Sequence, residues 1–373
     1  MNSYSAPHEV DIVIAVHQLS RPIERAVASV LAAGHPGQVR AIVVGHGLES
    51  QDLRRVLGSC PAEHIHVIKH VDGIRSAAGP FNAGLQAASA EFVGIMGSDD
   101  LLEPGSISSW VAQARHDSAD AIVAPLRFQG GQTVRTPRLR ALRRAKLDPV
   151  RDRLAYRTAP LGIIRRSTVH AQGLAFTEGM ATGEDVAFSL RLWFGGAHIA
   201  MGHPGQNYII GEDAPDRVTE QRLPLEEEFA AFFAVIQEGW FKGLTAVERR
   251  SIAVKIVRIH LIPAIAGRGA KWDWTGADGR AVQDLLSRLG VAAPGYAAPL
   301  SKAERSLLET AEKLPVAAPG LEEALNTHAR ATRLDMLLAR RLAGNFLVES
   351  NVRYFLDLKL ANGLARWLPG WAA

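Results

Sequence analysis

Two adjacent carboxylates, Asp99 and Asp100, follow directly on the apolar run 92–96. Ligands of α/β folds bind at the carboxyl ends of parallel strands, so a strand at 92–96 would place both side chains at such an edge. Carboxylate oxygens suit Mg²⁺ or Mn²⁺, and such an ion neutralises a diphosphate. The alternative is a turn before a helix, a pattern that Glu103 and Pro104 continue.

A second carboxylate pair, Glu184 and Asp185, follows Gly183 and precedes a segment with helical apolar spacing, 185–194. One of these carboxylates could act as a general base that removes a proton from an acceptor hydroxyl as the hydroxyl attacks. The alternative is complementarity with the helix dipole, worth about 0.3 to 1 kcal/mol.

Two further patterns are weaker. Residues 45–50 partly match the GxGxxG dinucleotide loop, but Ser50 replaces the third glycine and the segment follows the second strand rather than the first. We therefore predict no nicotinamide or flavin site. His64, His66 and His70 lie close together, but no carboxylate or cysteine completes a zinc set, and we interpret them as surface or satisfied histidines.

The segment 135–153 contains seven arginines and Lys146 but only two acids, Asp148 and Asp152. Arginine suits phosphate recognition, but no interleaved aromatic residues or nucleic-acid motif accompany it. We predict a solvated arm that orders over substrate, and no nucleic-acid partner. The segment 354–371 mixes aromatic, aliphatic and basic residues, which fits peripheral membrane contact or, preferably, helix packing and homo-oligomerisation.

Strands are predicted at 10–16, 39–44, 65–68 and 92–96, in alternation with helices through 23–31, 52–57 and 82–89 and after Pro104. This alternation predicts an α/β sheet. A helix at 185–194 and a strand near 198–201 complete a first domain, 1–220. Amphipathic helices at 225–242, 246–264, 276–289, 302–313 and 321–368 predict a helical second domain, 221–373.

The composition is that of a folded globular chain, with 373 residues, 47% apolar and 21% charged. A single cysteine, Cys60, excludes an internal disulfide, and the formal charge of +4 is compatible with an anionic partner. No secretory signal or stretch of ~18 uninterrupted apolar residues is present; the nearest candidate, 252–266, contains Lys255 and Arg258. These features predict a cytoplasmic protein, or one at the inner face of the membrane.

Taken in chain order, these motifs resemble family 2 glycosyltransferases of the GT-A fold, over about residues 9–220. The resemblance rests on five motifs. Three resemble the donor side of the family: the segment Ala15-Val16-His17-Gln18, the loop from Gly73 to Asn82-Ala83-Gly84, and Ser98-Asp99-Asp100. The other two resemble the base segment, Gly183-Glu184-Asp185 with Leu190-Arg191-Leu192 and Gly195-Gly196, and the closing loop, Tyr208 with Asp216-Arg217-Val218-Thr219. The resemblance implies a Rossmann-like, mostly parallel sheet flanked by helices.

The resemblance implies a nucleotide-diphosphate sugar held through Mn²⁺ or Mg²⁺ at Asp99 and Asp100, with Asp185, beside Glu184, as the base of an inverting displacement. The donor-binding residues that it implies are Ala15, Val16, His17, Gln18, Arg21, Gly45, His46, Asp72, Arg75, Asn82, Ser98 and Asp99. Arg157, Pro160, Leu161 and Gly162 lie between the metal and base motifs and are assigned to the donor or acceptor pocket.

Three positions depart from the family pattern. Gly45 and His46 stand where an acidic pair is usual, Gly97 replaces a further aspartate, and Phe81 precedes Asn82 where an arginine is common. We predict an inverting glycosyltransferase that acts on a glycan, a cell-envelope polymer or a lipid-linked acceptor. The alternative is a GT-A-like binding or scaffold protein without turnover. A nucleotidyltransferase would also use paired aspartates, but 15–21 lacks the glycines of its phosphate loop.

Overall fold

The computed structural model describes residues 8–212 and 223–365. Its strands are β1 (Val10–Val16), β2 (Val39–His46), β3 (Ile65–His70), β4 (Phe92–Gly97), β5 (Leu101–Leu102), β6 (Ala121–Val123), β7 (Leu126–Phe128), β8 (Thr133–Val134), β9 (Gly162–Arg165), β10 (Ile199–Met201) and β11 (Tyr208–Ile210). Seven of them form one sheet in the order β10-β6-β9-β4-β1-β2-β3. All neighbours in it are parallel except β9, which runs antiparallel to β4 and β6.

A smaller sheet has the order β5-β11-β7-β8 and lies beside the first. Its strands have two or three residues each. This sheet and β9 were not predicted from the sequence, whereas the strands β1 to β4 and β10 are confirmed.

Helices of the first half cover the main sheet: α1 (Ile23–Ala32), α2 (Ser50–Val56), α3 (Ala78–Ala87), α4 (Ser106–His116), α5 (Arg166–Ala171) and α6 (Val186–Phe194). Strand β1 is apolar on both faces and almost wholly buried, as a parallel strand between two helical layers requires. Helix α3 packs closely on it, because a Cβ at Gly84 would lie 2.1 Å from Val13 Cγ1.

Helices make up most of residues 223–365: α7 (Leu225–Glu228), α8 (Ala230–Gln237), α9 (Gly239–Gly243), α10 (Ala246–Lys255), α11 (Ile262–Arg268), α12 (Ala277–Ala292), α13 (Lys302–Ala311), α14 (Leu321–Ala329), α15 (Arg333–Leu337) and α16 (Asn351–Ala365). A π-helical turn, Ile256–Leu261, joins α10 to α11. This half also contains 3₁₀ turns at Ala318–Gly320 and Leu342–Phe346.

Two of the predicted helices were too long. The helix at 225–242 is three helices: Phe229 separates α7 from α8, and Glu238 adopts an extended conformation between α8 and α9. The helical region 321–368 is interrupted between α14 and α15 and again after Leu337, where Leu338 is extended. Trp367 and Trp371 lie outside the described residues.

The buried core continues across the predicted domain boundary at residue 220. One cluster of buried apolar side chains contains Val13 and Phe188 from the first half together with Phe232, Ile252 and Leu307 from the second. The division into 1–220 and 221–373 stays a prediction. Among the described residues, no helix is long and apolar enough to cross a membrane.

The basic segment 135–153 is anchored rather than a solvated arm, which corrects the expectation. Arg140 makes a two-point ion pair with the buried Asp152, at 2.9 and 2.6 Å. Arg153 is only 4% exposed and donates to Asp357 of α16 at 2.8 Å. The first pair therefore fixes the segment internally, and the second ties its end to α16.

Candidate active site

The predicted donor residues gather at one edge of the main sheet. Register pairs Ala15 of β1 with Gly97 of β4, Val16 with Gly45 of β2, and His46 with His70 of β3. The carboxyl ends of four parallel strands therefore meet, and the loops that follow them start side by side. His17, Gln18 and Arg75 lie on these loops and are exposed.

Asp99, just beyond β4, is held by the loop and helix that follow β1. Arg21 Nη1 lies 3.1 Å from Asp99 Oδ2, and Arg25 Nη2 donates to the Asp99 carbonyl at 3.2 Å. Arg21 is 9% exposed, so this cation lies within the site and not on its outer surface. Ser98, the residue before Asp99, is buried.

Both carboxylate oxygens of Asp100 accept hydrogen bonds from residues at and just after β11. The Tyr208 hydroxyl donates to Oδ2, and the Gly211 amide donates to Oδ1 at 2.8 Å. Burial raises the pKa of the Asp100 carboxyl, and burial also raises the pKa of Tyr208. A Cβ at Gly97 would lie 2.6 Å from Asp100 Oδ2, so a side chain at that position would displace the Asp100 carboxylate.

A third carboxylate, Asp72, lies between two histidines at the ends of β2 and β3. His46 Nε2 lies 2.7 Å from Asp72 Oδ1, and His70 Nε2 lies 3.0 Å from Oδ2. The Ile74 amide also donates to Oδ1, at 2.9 Å. This amide, followed by the two histidines, holds the pKa of Asp72 well below its usual range. A carboxylate is thus present beside His46, although the acid usual at the end of β2 is missing.

Asn82 connects α3 to the segment that leads into the second carboxylate pair. Its side-chain oxygen accepts from the Phe176 amide at 2.8 Å, and its NH₂ donates to the Phe176 carbonyl and to Glu178, both at 3.0 Å. The rings of Phe81, Phe176 and Phe188 pack in series at this junction. Asn82 therefore positions a neighbouring segment, a role that the sequence did not indicate.

Glu184 and Asp185 lie at the start of α6. Gly183 has φ +79°, and a Cβ there would lie 2.8 Å from Ala231 Cβ on α8, so the motif turns sharply against the C-terminal helices. Burial raises the pKa of Asp185 to about 7, and the neighbouring Glu184 carboxyl adds to the rise. Burial also raises the pKa of Glu184. A carboxyl with a pKa near 7 suits a general base at neutral pH.

The C-terminal half contributes Lys255, a residue that the site prediction missed. Lys255 ends α10, is 2% exposed, and interacts electrostatically with Asp185. Its charge opposes the rise in the pKa of Asp185. The available signal was a lysine within the apolar run 252–266, since a buried lysine in such a run needs a partner.

The structure does not support a pocket formed by Arg157, Pro160, Leu161 and Gly162. Arg157 is 2% exposed, and its guanidinium donates to the backbone carbonyls of Ala124 and Thr136. Gly162 begins β9, and a Cβ there would lie 2.0 Å from the Ile122 carbonyl oxygen. Pro160 is buried and Leu161 half-buried, so this segment supports the sheet from within.

The donor chemistry at Asp99 and Asp100 fits a divalent ion. Mg²⁺ is commonly held by one or two carboxylates together with substrate phosphates, without a complete protein cage. Asp100 accepts two hydrogen bonds, whereas a carboxylate has about four acceptor positions. No group of three or more metal-ligating side chains occurs in the described ranges, so the remaining ligands would come from the donor and water.

This combination of a mostly parallel sheet, paired aspartates at the end of β4 and a carboxylate pair at α6 defines a glycosyltransferase of the GT-A fold. The model of "Glycosyltransferase like family 2" matches residues 7–212, and the chain belongs to that family. The family and the fold inferred from the motifs are therefore confirmed.

Among curated proteins, the chain is similar to the poly(ribitol-phosphate) beta-N-acetylglucosaminyltransferase TarP of Staphylococcus aureus, strain N315. The two are 23% identical over 162 residues, which cover 40% of this chain and 50% of TarP. The match thus spans half the length of that relative.

Among solved structures, the fold is similar to S. aureus TarS 1–349, with a TM-score of 0.68, 14% identity, and coverage of 87% of this chain and 92% of that one. The same protein in complex with UDP-GlcNAc gives a TM-score of 0.67 at 15% identity, over 86% of this chain and 91% of that one. The similarity extends beyond residue 212 into the helical half.

Proposed function

We propose that the chain transfers a sugar, with inversion, from a nucleotide-diphosphate sugar to a hydroxyl of a glycan, cell-envelope polymer or lipid-linked acceptor. One observation carries this proposal. Asp185 is a carboxyl at the start of α6, and burial raises its pKa to about 7. Dipole complementarity alone stabilises the charged form and lowers a carboxyl pKa, so it does not account for this environment.

In the proposed reaction, Asp185 accepts the proton of the acceptor hydroxyl. The acceptor oxygen forms a bond to the anomeric carbon while the bond from that carbon to the diphosphate breaks, and the diphosphate leaves with the electron pair. A base with a pKa near 7 is largely ionised above neutral pH and still takes up a proton readily. Glu184 stays beside it as a second acid that raises the pKa of Asp185.

On the donor side, Asp99 and Asp100 would hold Mn²⁺ or Mg²⁺, which supplies positive charge to the leaving diphosphate. Arg21 orients Asp99, and the Tyr208 hydroxyl orients Asp100. The exposed Arg75 lies on the loop between β3 and α3, within the same edge, and would add charge to a bound diphosphate.

UDP-GlcNAc is the first donor to test, because TarS 1–349 has been solved with it. At the nucleoside end, the Asp72 carboxylate clamped by His46 and His70 would replace the acid missing after β2. We propose a polymer acceptor by analogy with TarP, whose name specifies poly(ribitol-phosphate). Peripheral membrane contact and oligomerisation through the C-terminal helices stay predictions.

A donor screen tests the proposal. The purified chain is incubated with UDP-GlcNAc and with other UDP-, GDP-, CDP- and dTDP-sugars, each with Mn²⁺ or with EDTA, and both binding and release of the nucleotide are measured. We expect one nucleotide class to bind and turn over, and EDTA to weaken both. Binding without turnover, in the presence of candidate polymer acceptors, would favour the scaffold alternative; no binding of any donor would contradict both.

A further inference from the structure

The C-terminal helices pack directly against the motif that contains the proposed base. Ala231 of α8 lies against Gly183 so closely that a Cβ on the glycine would be 2.8 Å from it. Arg191 of α6 forms an ion pair with Glu238, just beyond α8, and its guanidinium lies 5.7 Å from the centre of the Trp240 ring. The environment of Asp185 is therefore built from both halves of the chain.

Lys255 also packs against α8, beside the residue that contacts Gly183. It is the last residue of α10, and the π-helical turn Ile256–Leu261 begins immediately after it. Its Nζ lies 5.5 Å from the centre of the Phe232 ring on α8, a cation–π contact. π-helical turns within α-helices occur frequently at functional sites.

Further titratable groups lie around Asp185 and Lys255. Glu184 is a neighbouring acid, and Arg191 is neutralised by Glu238. His260, from the π-helical turn, packs with its ring 4.5 Å from that of Phe232; burial and then Lys255 lower the pKa of His260 to about 3, so this ring is neutral. Lys255 is the one cation of the described residues that acts electrostatically on Asp185.

The interaction is reciprocal. Burial lowers the pKa of Lys255 to about 8, and Asp185 is the group that opposes this lowering. A buried lysine without a nearby carboxylate would lose its proton more readily still. The two side chains thus stabilise each other's charge across the boundary between the halves.

We propose that Lys255 is a positioning residue for sugar transfer: its buried ammonium, held against Phe232 by the C-terminal helices, keeps Asp185 ionised so that it can accept the acceptor proton. This inference rests on the proposed function. It assigns the helical half a part in catalysis, because the first half contains the base and the second half contains the charge that maintains it.

The pH dependence of transfer distinguishes this role from a structural one. Without the ammonium, Asp185 would remain buried beside Glu184 alone, so it would hold its proton to higher pH. In Lys255→Gln, the acid limb of the kcat profile should therefore move up by about one pH unit or more. Transfer at pH 6.5 should fall about ten-fold, and transfer near pH 8.5 should approach that of the unsubstituted chain, with donor affinity unchanged.

The matched controls are Lys255→Arg, which keeps a cation at the site, and Lys242→Gln, which removes an exposed lysine from α9. Both should retain the original acid limb. If Lys255→Gln does not fold, as judged by its thermal midpoint and circular dichroism, Lys255→Met tests the same loss of charge with the aliphatic stem kept. Two results for the folded uncharged variant would overturn the proposal: an acid limb that stays in place, or a loss of transfer rate that is the same at all pH values.

Asp185→Asn, measured in parallel, separates this proposal from the proposed function. If Asp185→Asn retains transfer, the assignment of the base is wrong and the inference falls with it. If Asp185→Asn loses transfer while the uncharged Lys255 variant keeps the original profile, only the role of Lys255 is wrong.

Discussion

The four aspartates of the candidate site have the same side chain but different properties, because their neighbours differ. Asp72 is surrounded by an amide and two histidines, and its pKa falls; Asp185 is buried beside another acid, and its pKa rises. Asp99 is paired with Arg21, whereas Asp100 accepts from uncharged donors. The carboxylate of Asp99 and the guanidinium of Arg21 are groups that bind cations and phosphates respectively, and the raised pKa of Asp185 suits proton transfer.

Tyr208→Phe should weaken binding of the divalent ion in the donor complex. The substitution removes the hydroxyl that donates to Asp100 and accepts from the Gly97 amide. Loss of a group that orients a metal-binding carboxylate typically lowers metal affinity about 10- to 100-fold. Titration of Mn²⁺ into the protein with bound donor nucleotide measures this effect. Tyr354→Phe is the control, and equal affinities in the two variants would remove Tyr208 from this role.

At the residue scale, the sequence predicted the types of groups in the site better than their partners. Asp99, Asp100 and Asp185 follow from strand and helix boundaries, which local patterns predict. The partners Tyr208 and Lys255 come from positions 108 and 70 residues away along the chain, and only the folded chain brings them together. Arg157 was assigned to the pocket from its place between the metal and base motifs, whereas its Nη atoms donate to backbone carbonyls in the interior.

At the scale of elements, strand β9 joins the parallel strands β4 and β6 of the main sheet. It runs antiparallel to both neighbours, and its first residue, Gly162, has φ +137°. The chain can make this approach because glycine has no Cβ to collide with the Ile122 carbonyl. Strand β9 pairs with the first two residues of β4, Phe92 and Val93, and so joins β6 to the rest of the main sheet.

Gly162→Ala should destabilise the fold by about 3 kcal/mol or more, because the new methyl group would meet backbone atoms in a strained conformation. Gly173→Ala is the matched control: its φ is +56°, but no atom lies within 4 Å of a Cβ there, so only about 1 to 2 kcal/mol is expected. Denaturant midpoints at unchanged slope measure both values. An equal loss of stability in the two variants would show that the close backbone approach at Gly162 adds nothing to the cost of the substitution.

Apart from the three-residue strand β10, the strands that sequence patterns predicted correctly are the long, strongly apolar ones. Strands β1 to β4 have six to eight residues and clear turn signals, whereas β5 to β8 have only two or three and carry no readable periodicity. The breaks at Glu238 and Leu338 were missed because apolar spacing continues across them. The π-helical turn was missed for the same reason.

At the scale of the whole molecule, the two halves share one core. Phe188 of α6 and Phe232 of α8 belong to the same buried cluster, and Arg153 joins the first half to α16. The helical half therefore packs into the same core as the first half. This arrangement fits the similarity to TarS 1–349, which covers 87% of the chain.

Because the core is shared, the chain should unfold in a single cooperative transition. Scanning calorimetry should give one endotherm whose calorimetric and van't Hoff enthalpies agree. Arg153→Met, which removes the link to Asp357 and leaves a partly buried carboxylate without its cation, should lower the midpoint without splitting the transition. Two separate transitions would instead support independent domains at 1–220 and 221–373.

The most direct test of the central claim is the effect of Asp185→Asn on the rate of sugar transfer and on donor affinity, measured on the same preparation. Loss of a general base lowers the rate by about 10²- to 10⁴-fold. The account predicts a loss of transfer in this range with nearly unchanged donor affinity, whereas Asp284→Asn, which alters an aspartate paired with Arg288 on α12, should behave like the unsubstituted chain. Transfer within a few-fold of the original rate in Asp185→Asn would contradict the account.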